Sequence, residues 1–286
     1  MNILVCAKQV PNTNEVKIDP VKGTLIRDGV ESILNPDDAN ALEEALKIKD
    51  KYENVKITVI TMGPPQADVM LRECLAMGAD EAILLSDRAF GGADTWATSN
   101  AIAAAIKKIS NYDIIFAGRQ AIDGDTAQVG PQIAERLNIP QITYVEKFEI
   151  QENELKVHRQ LENGYEIIKV NTPVLLTAVK ELNKPRYMNV KGIYDAYKKD
   201  ITVWGADNIP VDKDTIGLKA SPTKVFKSFT PEPKGKGMMI EGTPREKINF
   251  LMNDLFKKHI IWRGGLQWKI NINIKMFGYM QNKDME

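Results

Sequence analysis

Short apolar, β-branched runs alternate with amphipathic stretches through the first two thirds of the chain, the pattern of a parallel sheet flanked by helices. Residues 2–6, 55–61, 82–85 and 113–117 read as buried strands. Between them the period is helical. Asn35-Pro36-Asp37-Asp38 combines a capping residue, a proline at the first helical position and acids in the first turn, ahead of Leu42, Ala45 and Leu46. Pro64-Pro65 opens a second helix, with Leu71, Cys74 and Leu75 on one face and Gly78 as its stop. A third, from about Asp94, turns Ile102, Ile106 and Ile109 inward, and a fourth is expected over 125–137.

After that helix the period changes to two. Strands are expected over 143–149, 154–158 and 165–170, with a tight turn at Asn163-Gly164 whose residues both tolerate positive φ. An apolar strand over 174–178 closes the region. Residues 221–244 thicken in proline and glycine and lead into Thr243-Pro244-Arg245-Glu246, a capping box ahead of the stripe Ile248, Leu251, Met252, Leu255. A lone helix on an arm either folds back or packs on a partner subunit. Exposed apolar stripes mark interfaces, which favours the partner.

Charge removes one class of function. The 38 basic residues equal the 38 acidic ones, so no overall positive excess exists to neutralise nucleic-acid phosphates. Two cysteines and two histidines, with no CxxC pair, give no zinc site, redox dithiol or disulfide framework. A reducing, cytoplasmic setting is expected. No stretch approaches the roughly 18 apolar residues of a membrane span. The apolar N-terminus lacks a basic leader and reads as a strand, not a signal peptide.

In an open α/β sheet, ligands bind beyond the carboxyl ends of the strands. Three such ends carry unusual text: Ala7-Lys8-Gln9, Met62-Gly63-Pro64 and Gly118-Arg119-Gln120-Ala121-Ile122-Asp123-Gly124-Asp125-Thr126-Ala127-Gln128-Val129-Gly130. In the third, glycines recur every six residues, and glycine lets backbone amides approach a ligand closely. Asp125 and Gln128 have capping-box spacing, so the helix is expected to begin near Thr126 and point its free amides at the crevice. That suits a phosphate or pyrophosphate, with Arg119 supplying charge and Asp123 or Asp125 taking ribose hydroxyls. The same text also makes an ordinary turn. His158 reads as a surface or interface side chain, and Cys6 and Cys74 as small core residues. No P-loop, no Gly-x-Gly-x-x-Gly after the first strand and no Gly-x-Ser-x-Gly elbow is present. Without machinery for covalent or hydrolytic chemistry, a bound cofactor has to carry any reaction.

Four passages, Cys6-Ala7-Lys8-Gln9-Val10, Asn35-Pro36, Gly118 to Asp125 and Leu182-Asn183-Lys184-Pro185-Arg186-Tyr187, together with Arg159, Glu162, Gly164, Glu166, Pro173 and Thr177 around the hairpin, resemble the beta subunit of electron-transfer flavoproteins. The resemblance implies a doubly wound, mostly parallel α/β sheet of the adenine-nucleotide-binding type over 1–220, with an added β-hairpin. An arm and helix over 221–260 would pack on an alpha subunit. In some members the beta subunit holds structural AMP. In others, which this chain resembles more in Asp37-Asp38 and in the text of residues 188–196, it holds a second FAD. That FAD accepts hydride from NADH and splits the electron pair between a ferredoxin or flavodoxin and an acyl-CoA dehydrogenase-type flavoprotein. By position, Ala7, Asn35, Pro36, Asp37, Asp38, Met62 and the segment from Arg119 to Gly130 would hold the nucleotide. Arg186, Tyr187, Met188 and Val190 resemble the segment that docks the dehydrogenase; an ordinary loop and helix start is the alternative. A rival of another class is an adenine-nucleotide sensor without redox role. The tail over 261–286 departs from the family, and its Trp262-Arg263-Gly264-Gly265 is what read-through into a purine-rich ribosome-binding stretch would encode.

Overall fold

The computed structural model describes residues 1–12, 31–151, 154–226, 235 and 237–261, so the atypical tail lies outside the described residues apart from Ile261. The chain divides into two units, Met1–Thr230 and Pro231–Glu286. The strands of the first are β1 (Asn2–Cys6), β2 (Gln9–Pro11), β3 (Ser32–Leu34), β4 (Lys56–Met62), β5 (Glu81–Leu85), β6 (Ile114–Gly118), β7 (Gln141–Ile150), β8 (Leu155–Leu161), β9 (Gly164–Val170), β10 (Val174–Ala178) and β11 (Ile201–Trp204). Its helices are α1 (Pro36–Lys51), α2 (Asp68–Met77), α3 (Thr95–Ile109), α4 (Val129–Leu137), α5 (Val190–Ala196) and α6 (Gly217–Ala220).

Nine strands form one sheet in the order β11-β5-β4-β1-β6-β10-β7-β8-β9. Pairing is parallel from β11 to β7 and antiparallel across β7, β8 and β9. Alternation along β1 explains its unbroken apolar text. Ile3 and Val5 pack with Leu42 and Leu46 of α1 and Leu71 and Cys74 of α2. Leu4 and Cys6 pack on the other face with Ala101 and Ile106 of α3 and Ile133 of α4. Both faces are covered, so residues 3–6, all buried, are all apolar. From β1 the chain builds outward through β4 and β5, then crosses by α3 to place β6 on the opposite side of β1. The β1/β6 boundary is therefore the reversal point of a doubly wound sheet, and sheets of this kind take their ligands outside the carboxyl ends there.

Several elements differ from the sequence expectation. Leu161 pairs with Gly164, so the hairpin turns on Glu162 and Asn163 while Gly164, at φ 146°, opens β9. The glycine's freedom is used one position after the turn. Helix α4 begins at Val129 and not near Thr126, because Asp125 (φ 51°) and Ala127 (φ 52°) are left-handed and cannot be helical. The edge strand β11 and the short β2–β3 ribbon carry no periodic signal: three or four residues, mostly half exposed, do not establish a period. In the second unit, α7 (Pro244–Lys257) starts on the expected Thr243/Glu246 capping box. None of its residues is buried, and Ile248, Leu251 and Met252 are exposed. Among the described residues no helix is long and apolar enough to cross a membrane.

Candidate functional site

The start of α1 ties together the two strand ends that flank the crevice. Asn35 occupies the cap position, yet its side chain does not cap α1. Its Nδ2 donates to the Gln120 carbonyl at 2.9 Å, and its Oδ1 accepts the Ile122 amide at 3.1 Å. Asp38 accepts the Lys8 amide on Oδ2 and the Gly118 amide on Oδ1, each at 2.8 Å. Both side chains are buried, at 0% and 6% exposure, so each supplies an acceptor to amides that water cannot reach. Burial pushes the Asp38 carboxyl up to about 7, against the pull of the two amides and Asn35. It also raises the neighbouring Cys6 thiol to about 12, which keeps that sulfur unreactive.

The periodic glycines divide by role. A Cβ on Gly118 would come within 2.7 Å of Asp37 C and Asp38 N, and one on Gly130 within 2.9 Å of Thr177 Cγ2. These two glycines permit close packing rather than approach to a ligand. Only Gly124, of the three, faces open space.

Between them the loop stands clear. Ile122, Asp123, Gly124, Asp125 and Thr126 are exposed, and Ala121 and Ala127 half-buried. The Gly124 and Asp125 amides fold back on the Ala121 carbonyl at 3.2 and 2.9 Å, and Asp125 Oδ1 accepts Gln120 Nε2 at 2.6 Å. At the start of α4 the amides of Val129 and Gly130 find no acceptor among the described residues, as the first turn of a helix dictates. Charge collects at the rim. Lys8 Nζ pairs with Asp123 Oδ1 at 2.6 Å, and Arg119 Nε faces Asp37 Oδ2 at 3.5 Å, neither atom of the second pair having a hydrogen-bond partner. Burial holds Asp37 above the ordinary carboxylate range, opposed by Arg119. The Arg119 guanidinium also lies 5.7 Å from the Tyr144 ring centre, and Tyr144 sits at φ 58° beside the irregularity where β7 meets β10. Ala7 is buried at the end of β1, Met62 half-buried at the end of β4, and Pro36 exposed. The sequence reading gave Lys8 no role beyond its place in the strand end Ala7-Lys8-Gln9, and left out Tyr144 and Thr95, whose hydroxyl donates to Gln128 Oε1 at 2.9 Å.

A model of the Electron transfer flavoprotein domain matches residues 22–209, well over half of the 286 residues. The chain belongs to the electron transfer flavoprotein family. It is similar to the Caffeyl-CoA reductase-Etf complex subunit CarD of Acetobacterium woodii, 64% identical over 262 residues that cover 91% of this chain and 100% of that one. The Electron transfer flavoprotein subunit beta of Clostridium acetobutylicum is 63% identical over 261 residues, with the same two shares. The Acryloyl-CoA reductase electron transfer subunit gamma of Anaerotignum propionicum is 51% identical over 269 residues, again covering 91% and 100%. Among the family's chains, this one stands with the beta subunits.

Several residues that carry the resemblance to electron transfer flavoproteins have structural work in this fold. Arg159 and Glu166 form a cross-strand pair at 3.5 Å between β8 and β9, and Thr177 Oγ1 accepts the Tyr144 amide at 3.1 Å. His158 stacks on Tyr165 with ring centres 5.0 Å apart, a packing role on the hairpin. Of the four residues in the docking-like segment, Tyr187 is 93% and Val190 85% exposed, and Met188 is also exposed. Arg186 is not displayed: its guanidinium turns back onto Glu43 and Asp50 of α1, which raise its pKa further.

Proposed function

We propose that this chain is the nucleotide-bearing beta subunit of a heterodimeric electron carrier. Its alpha-subunit partner would cover the apolar stripe of α7. FAD would occupy the β1/β6 crevice. One observation carries the reading: the Val129 and Gly130 amides at the start of α4 find no acceptor among the described residues, and Arg119 just past β6 has an unbonded Nε, so donors for an anion remain at this end of the sheet. The residues present fit a diphosphate and a ribose, since unpaired amides and a guanidinium answer phosphate oxygens and the rim carboxylates of Asp123 and Asp125 answer hydroxyls.

The chain's own residues bind and orient. Asn35 and Asp38 fix the backbone of residues 118–122 from beneath, and Gly124 leaves the loop's outer side open. A flavin held there supplies hydride acceptance from NADH and one-electron delivery. Bifurcation, with one electron going to a ferredoxin or flavodoxin and one through the alpha subunit to an acyl-CoA dehydrogenase-type partner, is supported by relatives named for caffeyl-CoA and acryloyl-CoA reductases. The exposed Tyr187, Met188 and Val190 would meet that dehydrogenase. A cytoplasmic location accords with soluble donors and acceptors.

Two measurements on the co-expressed heterodimer test this. Two FAD per heterodimer support the proposal, whereas one FAD plus AMP points to the carrier with a structural nucleotide. Titration with NADH under a visible-light spectrometer should bleach the flavin bands. A complex that remains colourless after FAD is added would be a nucleotide sensor instead.

A further inference from the structure

The polar residues that run down α1 do not stop at the crevice. Asn40, Glu43 and Glu44 are buried at 4%, 6% and 4% exposure, although unpaired carboxylates are costly to bury. Apart from Lys47, whose Nζ pairs with Glu44 Oε2 at 2.9 Å within α1, their side-chain partners lie in the chain after β10. Asn183 Nδ2 donates to the Asn40 carbonyl and to Glu44 Oε2, each at 2.9 Å, while Asn40 Nδ2 donates to the Asn183 carbonyl at 2.8 Å. Glu43 takes three bonds from one residue: Oε2 accepts the Arg186 amide at 3.0 Å and Nε at 2.9 Å, and Oε1 accepts Nη2 at 3.0 Å. The amide bond matters most for shape, because it pins main chain and not only a side chain.

Downstream, a second pin holds the other foot. Asn189 caps α5 by accepting the Gly192 amide at 2.7 Å, and Gly192 packs so closely on α2 that a Cβ would overlap the Ala76 carbonyl oxygen. Among the described residues, no main-chain-to-main-chain hydrogen bond holds residues 184–188. Residues 183–192 are thus an arch fixed at both feet, without regular structure over 183–189 and ending on the first turn of α5. Tyr187 and Val190 stand exposed at its crown, with Tyr194 at 66% and Tyr197 at 68% beyond it. Exposed aromatic and apolar side chains on a rigid base are the make-up of a protein-recognition patch.

We propose that Glu43 is a positioning residue for electron delivery: it holds the arch so that Tyr187 and Val190 are presented to a protein partner in one arrangement. This rests on the docking role given to the segment above. Asn40, Glu44 and Asn183 share the task at the first foot. Because α1 also carries Asn35 and Asp38, one rigid helix sets the spacing between the cofactor loop and the docking arch.

The test uses the co-expressed heterodimer with an acyl-CoA dehydrogenase-type partner as electron acceptor. Glu43→Gln keeps the shape and removes the charge. It should raise the KM for the partner about tenfold with kcat at saturation unchanged, as loosening a partly buried ion pair predicts. Hydrogen exchange across residues 184–192 should quicken while that of residues 118–130 does not, with flavin content intact. Arg186→Lys, which keeps the charge but not the fork, should fall between. If Val190→Ala raises KM and Glu43→Gln leaves both KM and exchange unchanged, the inference is overturned. If Val190→Ala does nothing, the docking reading falls, and exchange at 184–192 still decides whether Glu43 shapes the arch.

Discussion

Residues 119–128 and residues 183–189 both lack regular structure and both are braced from α1, yet they show different chemistry to solvent. The first loop is braced at its main chain by Asn35, with Asp38 holding Gly118 just before it, and what it leaves outward is mainly polar, Arg119 and the carboxylates of Asp123 and Asp125 beside Ile122. The second is braced through an ion pair and an amide ladder, from Glu43 and Asn40, and what it leaves outward is chiefly apolar and aromatic, Tyr187, Met188 and Val190 beside Lys184 and Asn189. A small anionic molecule needs converging donors at hydrogen-bond range. A protein face needs projecting side chains that lose water on contact. The difference shows that a buried polar residue on a helix can serve either end, provided that it satisfies the backbone of the segment it holds.

The comparison can be broken at its tightest points. Gly118→Ala should cost about 3 kcal/mol, the upper end of overpacking, since the new methyl would meet Asp37 and Asp38 main chain that cannot retreat. Urea denaturation should read this loss, together with loss of bound nucleotide. Gly192→Ala should cost about 2 kcal/mol by lifting the arch off Ala76, with partner affinity weakened and nucleotide content kept. A variant that loses nucleotide here would couple the two segments more closely than separate braces allow.

Asp38→Asn swaps one acceptor for a donor and should cost about 1–3 kcal/mol at pH 5. Its pH dependence has a definite sign. The folded carboxyl is raised from 3.8 to about 7, so the unfolded chain releases the proton first, and the wild type loses stability as pH rises through that window. The gap between wild type and variant should narrow from about pH 4 to about pH 7 and then level off. Denaturation series at several pH values would expose a flat gap, which would mean that Asp38 is ionised throughout. Smallest is Gly124→Ala: nothing lies within 4 Å of its Cβ position, and stability should stay within about 0.5 kcal/mol. Any change in this variant should therefore appear in nucleotide binding alone, by equilibrium dialysis.

Much of this was legible along the chain. The unbroken apolar text of β1 announced a strand covered on both faces, Asp94 and the Thr243/Glu246 pair announced helix starts, and Gly78, at φ 129°, a helix stop. The strand ends with unusual text, after residues 6, 62 and 118, belong to β1, β4 and β6, which are neighbours in the sheet. What misled was local text with two readings: Asp125 and Gln128 have the spacing of a cap, but Asp125 itself and Ala127 are left-handed, and Asn35 occupies a cap position while bonding elsewhere.

Periodicity, turn chemistry and strand-end motifs act over a few neighbouring residues, and so they can be read in order along the chain. The roles of Asn35, Asp38 and Glu43 cannot. Asp38 meets Gly118 across 80 positions, and Glu43 meets Arg186 across 143. A polar residue on a helix flank looks the same in text whether water or a distant amide satisfies it. Burial alone distinguishes the two, and burial exists only after the sheet has closed over α1.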